Sequence, residues 1–193
     1  MAAGKQLKGK KKWFGVLAPA LFNSREIADV PAYSPEELHG RWVEVTGQML
    51  TGISKDNNKK YLLKIVEMKG DKAVTLPAKY YISEGFVQRS ARKYKDRFID
   101  VLTVKTKDDK QVVLKLFFFN VKRLHHSVRG EILRKTKIFV DAAVSEVDSV
   151  KIFDPAVMDK ITFDLKKSVS PIYPLDKIFV TRLALVQAKP SAA

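Results

Sequence analysis

The segment RFIDVLTVKTKDDKQVVLKLFFFNVKR, Arg97 to Arg123, decides the fold of this chain. Two runs rich in β-branched and aromatic residues flank its polar turn, Lys105 to Lys110, which is the pattern of a β-hairpin. One face of the return run contains no polar residue, and the other contains only Lys115. Because both faces must then be covered, the return run is predicted to be a central strand.

Length and composition indicate an ordinary globular protein of 193 residues, 46% of them hydrophobic. We expect a disordered basic arm over 1–12, one domain over 13–188 and a loose tail over 189–193. Cysteine is absent, which excludes disulfides and thiolate metal sites and agrees with a reducing, cytoplasmic location. No apolar run approaches the roughly 20 residues that span a bilayer, so no membrane role is expected.

Positive charge is concentrated in three segments of the chain. Residues 1–12 carry five Lys, residues 86–97 have a net charge of +4, and residues 122–137 have a net charge of +5. Together they account for 14 of the 15 net positive charges. Charge gathered in this way predicts a polyanionic partner.

Periodicity elsewhere predicts further strands and helices, giving an α+β fold. The other predicted strands are residues 41–50, residues 61–69, a short strand over 73–76 ended by Pro77, and residues 178–186. The predicted helices begin near Ser83, Ser127 and Asp154. Residues 13–22 are expected to cover an edge of the core without regular structure, and 23–40 to form a surface loop.

Catalytic and metal-binding patterns are weak, so no cofactor is expected. His125 and His126 are adjacent, and their side chains therefore diverge on a regular element instead of sharing a metal. Asp108 and Asp109 lie at a predicted hairpin tip, where a solvated turn role is favoured. The GxxxxGK spacing from Gly4 has Lys11 where a P-loop needs Ser or Thr.

The candidate RNA-binding residues are cations of the three basic segments together with one aromatic residue. They are Lys5, Lys8, Lys10, Lys11, Lys12, Trp13, Arg89, Arg92, Lys93, Lys95, Lys122, Arg123, Arg129, Arg134 and Lys135. Lysine and arginine bind phosphate, and aromatic rings next to them stack on exposed bases. For Trp13 the alternative, packing in the core, is favoured. The acidic stretch 138–165 is expected to face solvent or a basic protein partner.

Two stretches of the chain are similar to a known family. KKKWFGVLAPALFN, Lys10 to Asn23, and SPIYPLDKIFVTRLALV, Ser170 to Val186, resemble the small-ribosomal-subunit proteins of archaea and eukaryotes called S-one-e or S-three-a-e. The hairpin from Ile99 to Asp109 occupies the place of a family strand and turn, with Asp109-Lys110 instead of Asp-Gly. Residues 145–153 fit the family poorly, and the long charged C-terminal extension of eukaryotic members is absent, which favours an archaeal or reduced ribosome.

The resemblance implies an antiparallel β-barrel-like core with surrounding helices, on the platform of the small subunit near the mRNA exit. It implies contacts with small-subunit rRNA, with neighbouring platform proteins and with mRNA near the exit, and no small-molecule substrate. The leading hypothesis is therefore a structural rRNA-binding protein of the cytoplasmic ribosome that is not an enzyme. The alternatives are an RNA-processing or modifying enzyme on a barrel scaffold and a peripheral membrane protein. The second lacks the expected amphipathic basic helix.

Overall fold

The computed structural model describes residues 10–91 and 96–186. Four helices and eight strands make up its regular structure. The strands are β1 (Lys12–Leu17), β2 (Glu26–Ala32), β3 (Trp42–Thr46), β4 (Lys59–Lys69), β5 (Lys72–Ile82), β6 (Arg97–Lys105), β7 (Gln111–Asn120) and β8 (Leu175–Leu185). The helices are α1 (Gly47–Thr51), α2 (Glu84–Ser90), α3 (His126–Ser145) and α4 (Pro155–Val169). The α+β class is confirmed.

The strands form one mixed sheet in the order β2-β1-β5-β8-β7-β6, with the β3–β4 hairpin on the other edge of β5. β1 runs parallel to β5, which is possible because the long connection between them lets the chain cross over. Among the described strands the sheet does not close, and β2 and β6 are its ends. The antiparallel barrel-like core is therefore corrected to an open, mixed sheet.

The hairpin of β6 and β7 forms as predicted, with Arg97 opposite Phe119 and Lys105 opposite Gln111. β7 also pairs with β8, so it is a central strand. On one face Phe98 and Phe118 stack with ring centroids 4.6 Å apart, and α3 and α4 cover this side. On the other face α2 packs through Phe86 against Phe179, 5.8 Å between centroids. The α3 side of β7 is fully buried, whereas on the α2 side Val113, Lys115 and Phe117 are only half-buried. The prediction that both faces are covered therefore holds for the first face and only in part for the second.

Four strands differ from the sequence predictions. β1 and β2 are regular strands where irregular structure was expected, and Pro31 is accommodated because β2 is an edge strand. β3 ends at Thr46 because the chain turns into α1, where Gly47 lies so close to Asp56 that a Cβ would come within 2.7 Å of its carbonyl oxygen. β5 continues through Pro77, where the register against β4 shifts.

The two long helices begin where the capping signals indicated. Asp154 caps α4 by accepting a 3.0 Å hydrogen bond from the backbone N–H of Ala156, and Pro155 is the first residue of that helix. α3 begins at His126, one residue before the prediction, and buries Ile132, Val140 and Val144 on one face. Asp108 at the hairpin tip accepts two 3.0 Å hydrogen bonds from Ser149, which ties the tip to the segment after α3.

Candidate nucleic-acid interface

The open end of the β6–β7 hairpin brings two of the basic segments together. Asp96 joins the two segments through two hydrogen bonds. Its carbonyl accepts a 3.0 Å hydrogen bond from the Asn120 N–H, and its carboxylate accepts one of 2.8 Å from the Leu124 N–H. The chain before β6 is therefore fixed beside the chain after β7. We call the exposed cations Arg97, Lys122, Arg123 and Arg129 at this junction the basic end.

α3 carries the remaining predicted cations of the second segment. The guanidinium carbon of Arg129 lies 5.3 Å from the centroid of the Phe98 ring, so the first turn of α3 is held against the start of β6. Arg134 is exposed and Lys135 is half-buried further along the same helix. These positions extend the basic end along α3, which packs against β6.

α2 adds cations on the opposite face of the sheet. Arg89 is exposed and lines a shallow groove with Asn58 and Lys177. Lys177 pairs with Phe119, which pairs with Arg97, so Lys177 and Arg97 lie in one row across three strands. Neither Lys177 nor Arg97 is among the candidate residues predicted from the sequence. The row that they form depends on the pairing of β7 with β8, which are distant in the chain.

The N-terminal cations occupy a different part of the sheet. Lys12 begins β1, and Nζ of Lys11 lies 5.4 Å from the centroid of the Tyr33 ring. Trp13 is 69% exposed, so the expectation that it packs in the core is wrong. β1 pairs with the Lys72 end of β5, which in the strand direction points towards the hairpin tip and away from the basic end. The structure therefore separates Lys10 to Trp13 from the other candidates.

Five candidate residues, Lys5, Lys8, Arg92, Lys93 and Lys95, lie outside the described residues, as do the predicted tail and most of the arm.

A second row of cations on the sheet was also missed by sequence reasoning. The strand registers place Trp42 opposite Lys64, Leu62 opposite Lys79, and Lys60 opposite Tyr81. Tyr81 is in turn opposite Arg182, which is opposite Lys115. The set that we call the lateral track is Lys60, Lys64, Lys79, Lys115 and Arg182. Alternation along each strand could have shown that these side chains share an outward face, but not that their strands are neighbours.

The acid Glu44 lies within this row and is already engaged. Lys60 Nζ donates a 2.7 Å hydrogen bond to Glu44 Oε1, and this bond, together with one from the Tyr81 hydroxyl, lowers the pKa of Glu44. Burial and the bond to Glu44 raise the pKa of Tyr81 to about 12, so the phenol stays protonated at neutral pH. The negative charge of Glu44 therefore offsets the positive charge of Lys60 and not those of the other cations of the track.

Asp100 is the acid that lies nearest the basic end on the α3 side. Burial raises its pKa, against the lowering effect of a Val101 backbone hydrogen bond and of Arg129 and Lys137. Its Oδ2 is buried and has no hydrogen-bond partner among the residues described. The ionised carboxylate therefore opposes folding.

Replacing Asp100 by Asn should raise the free energy of unfolding by about 1 kcal/mol at pH 7, because the amide has no charge to desolvate. A group whose folded pKa is raised destabilises the fold above that pKa and has no such effect below its ordinary value near 3.8. The gain should therefore shrink as the pH falls through this range, as measured by urea unfolding. Asp109→Asn at the exposed tip is the control; an equal gain there would contradict this account.

Other site classes find little support in the structure. The described residues contain no group of three or more His, Cys, Asp and Glu side chains placed to hold a metal ion. No helix within 10–91 or 96–186 is long and apolar enough to cross a membrane.

Comparison with known proteins gives the family directly. The model of the Ribosomal S3Ae family matches residues 5–189. The chain belongs to this family. Proteins of the Ribosomal S3Ae family are structural proteins of the cytoplasmic ribosome and not enzymes, which confirms the resemblance and the non-catalytic role expected from the sequence.

Individual relatives of the S3Ae family are similar over most of their length. The protein of Haloquadratum walsbyi named small ribosomal subunit protein eS1 is 28% identical over 95% of this chain and 86% of its own. The eS1 protein of Nanoarchaeum equitans is 30% identical over 85% of each chain. That of Thermoplasma acidophilum is 28% identical over 95% of this chain and 85% of its own.

Proposed function

We propose that this chain is a structural constituent of the small ribosomal subunit that binds small-subunit rRNA through the basic end. The observation that carries the proposal is the pair of hydrogen bonds, 3.0 and 2.8 Å long, that Asp96 accepts from the backbone N–H groups of Asn120 and Leu124. These bonds fix cations from two segments on one surface. The carboxylate of Asp96, the acid at this junction, accepts a hydrogen bond from the backbone N–H of Leu124. A fixed group of exposed arginines and lysines is suited to several phosphates at once.

The mode of binding follows from the residue types. Lysine and arginine contact phosphates and position a protein on RNA without reading its sequence. The grooves of A-form RNA also favour recognition by shape. We therefore expect binding to depend on how the rRNA folds rather than on particular bases.

The finer placement rests on the family resemblance. We place the chain on the platform near the mRNA exit, against neighbouring platform proteins and within reach of mRNA. Residues 13–188 form the single domain of this proposal, and the basic arm 1–12 orders against rRNA. The acidic stretch 138–165 is then available to basic protein neighbours.

The test is the salt dependence of binding to small-subunit rRNA, with sedimentation of the chain with small subunits after a high-salt wash. If the basic end engages about four phosphates, affinity should fall about 100-fold between 50 and 200 mM salt. Filter binding across this range measures the slope. A flat slope would reject the electrostatic mechanism, and absence of the chain from small subunits even before the wash would reject the structural role.

A further inference from the structure

We propose that the lateral track binds an unpaired stretch of RNA, with one base stacked on Trp42. The inference rests on the proposed function only in taking RNA as the polyanion, and it concerns a surface apart from the basic end. The five cations lie on strands β4, β5, β8 and β7, and Trp42 lies beside them on β3. At the usual spacing of about 4.8 Å between strands, the surface from β3 to β7 is about 19 Å wide.

Trp42 is the centre of this surface. It is 42% exposed on β3, although burial of the large indole would be favourable. The ammonium groups of Lys64 and Lys79 lie 5.7 and 5.6 Å from the centroid of its ring. An exposed ring with two cations beside it offers a stacking surface and phosphate contacts at the same place, which is how proteins hold single-stranded nucleic acid.

The lysines beside Trp42 are free to exchange partners. Cation–π contacts are weak at exposed sites, so a phosphate competes for either ammonium group. When a phosphate draws a lysine outward, the ring face becomes available to a base. A similar aromatic contact recurs four residues further along β3, where Thr46 lies opposite Lys60 and the Lys60 ammonium is 5.9 Å from the Tyr81 ring centroid.

The track continues into a groove of about 330 Å³ between α2 and the sheet. Lys115 and Arg182 of the track and Arg97 of the basic end all line it, and Tyr81 and Phe117 supply aromatic surface. One strand of RNA that leaves the basic end can therefore follow a basic path to Trp42. An acidic protein segment would use the same charges but would have no need of exposed rings.

The first measurement is fluorescence, because replacing Trp13 by Phe leaves Trp42 as the indole of the chain that remains. Titration of the Trp13→Phe chain with a 12-nucleotide oligoadenylate should quench this emission, since adenine stacks on indole. Replacing Lys64 and Lys79 by Ala in the Trp13→Phe chain should weaken this quenching, because the track then lacks the phosphate contacts beside the ring. Absence of quenching from Trp42 at saturating oligoadenylate would overturn the proposal without depending on a damaged variant.

Affinity gives the second measurement. Trp42→Ala should bind oligoadenylate about tenfold more weakly than the parent chain, and Trp42→Phe, which keeps a ring, within about threefold. The pair Lys64→Ala and Lys79→Ala should also weaken binding, whereas the matched pair Lys105→Ala and Lys107→Ala near the hairpin tip should not. Circular dichroism confirms that each variant is folded.

Two outcomes would reject this surface while leaving the proposed function intact. If Trp42→Ala binds oligoadenylate as tightly as the parent while replacement of basic-end cations still weakens rRNA binding, the track does not stack bases. If polyglutamate competes as well as oligoadenylate at equal charge, the occupant is an acidic protein segment. If both RNA measurements fail together with the salt test above, the proposed function fails as well.

Discussion

Replacing Phe118 by Ala should lower the free energy of unfolding by about 3–5 kcal/mol. Phe118 is fully buried on the central strand β7, and its ring stacks on Phe98 at 4.6 Å between centroids. Removing it leaves a cavity that neighbours on two strands and on the α3 side cannot fill, because the interdigitated sheet prevents collapse. Since the free energy of unfolding of a domain is about 5–15 kcal/mol, this one replacement would remove a large part of it.

Urea unfolding followed by circular dichroism measures this loss. Val101→Ala on the adjacent strand is the matched control, since Val101 is 57% exposed and its replacement should change stability by less than about 0.5 kcal/mol. Phe118→Leu keeps most of the side-chain volume and should fall between the two. If Phe118→Ala costs no more than Val101→Ala, the core is not organised around this hairpin.

The contrast between these two positions shows what the sequence could predict. The hairpin depends on contacts close along the chain, so alternation of residues and a polar turn were sufficient to predict that its two strands are neighbours. The N-cap at Asp154 is local in the same sense. Such features are readable because the residues that decide them are neighbours in sequence.

The features that were missed depend on distant segments. β1 was not recognised as a strand because its pairing with β5 joins residues more than 50 positions apart. Pro77 hid the length of β5 because the bulge next to it, where Ala78 is the extra residue, is visible only in the register against β4. Trp13 appeared to be a core residue because its exposure depends on which face of β1 points outward.

The cations of the candidate site follow the same distinction between features that are local in sequence and features that are not. The basic end was predicted because both of its segments adjoin the hairpin, and the register then brings Arg97 beside the chain that follows β7. Lys177 and the lateral track were not, because the order β4-β5-β8-β7 brings together residues from four separate parts of the sequence. Counting charges along the sequence finds basic residues that are close in the chain, whereas strand pairing brings together basic residues that are distant in it.

The second large effect should come from replacing Arg97, Lys122 and Arg123 together by Ala. All three are exposed, so the fold should keep its stability within about 0.5 kcal/mol at each position. If each contacts one phosphate, the slope of log affinity against log salt should become shallower by about 2.7. With affinities that converge near 1 M salt, this predicts about 500-fold weaker binding to small-subunit rRNA at 0.1 M.

The control removes the same charge from the other end of the same hairpin. Lys105, Lys107 and Lys110 are exposed near the tip, and their triple Ala variant has the same net charge as the first. If the whole basic field of the protein drives binding, the two variants should weaken it equally. If the basic end makes the contacts, the tip variant should retain nearly all of the parent's salt slope. Filter binding at several salt concentrations decides between them, because the slope counts phosphates engaged and does not depend on net charge alone.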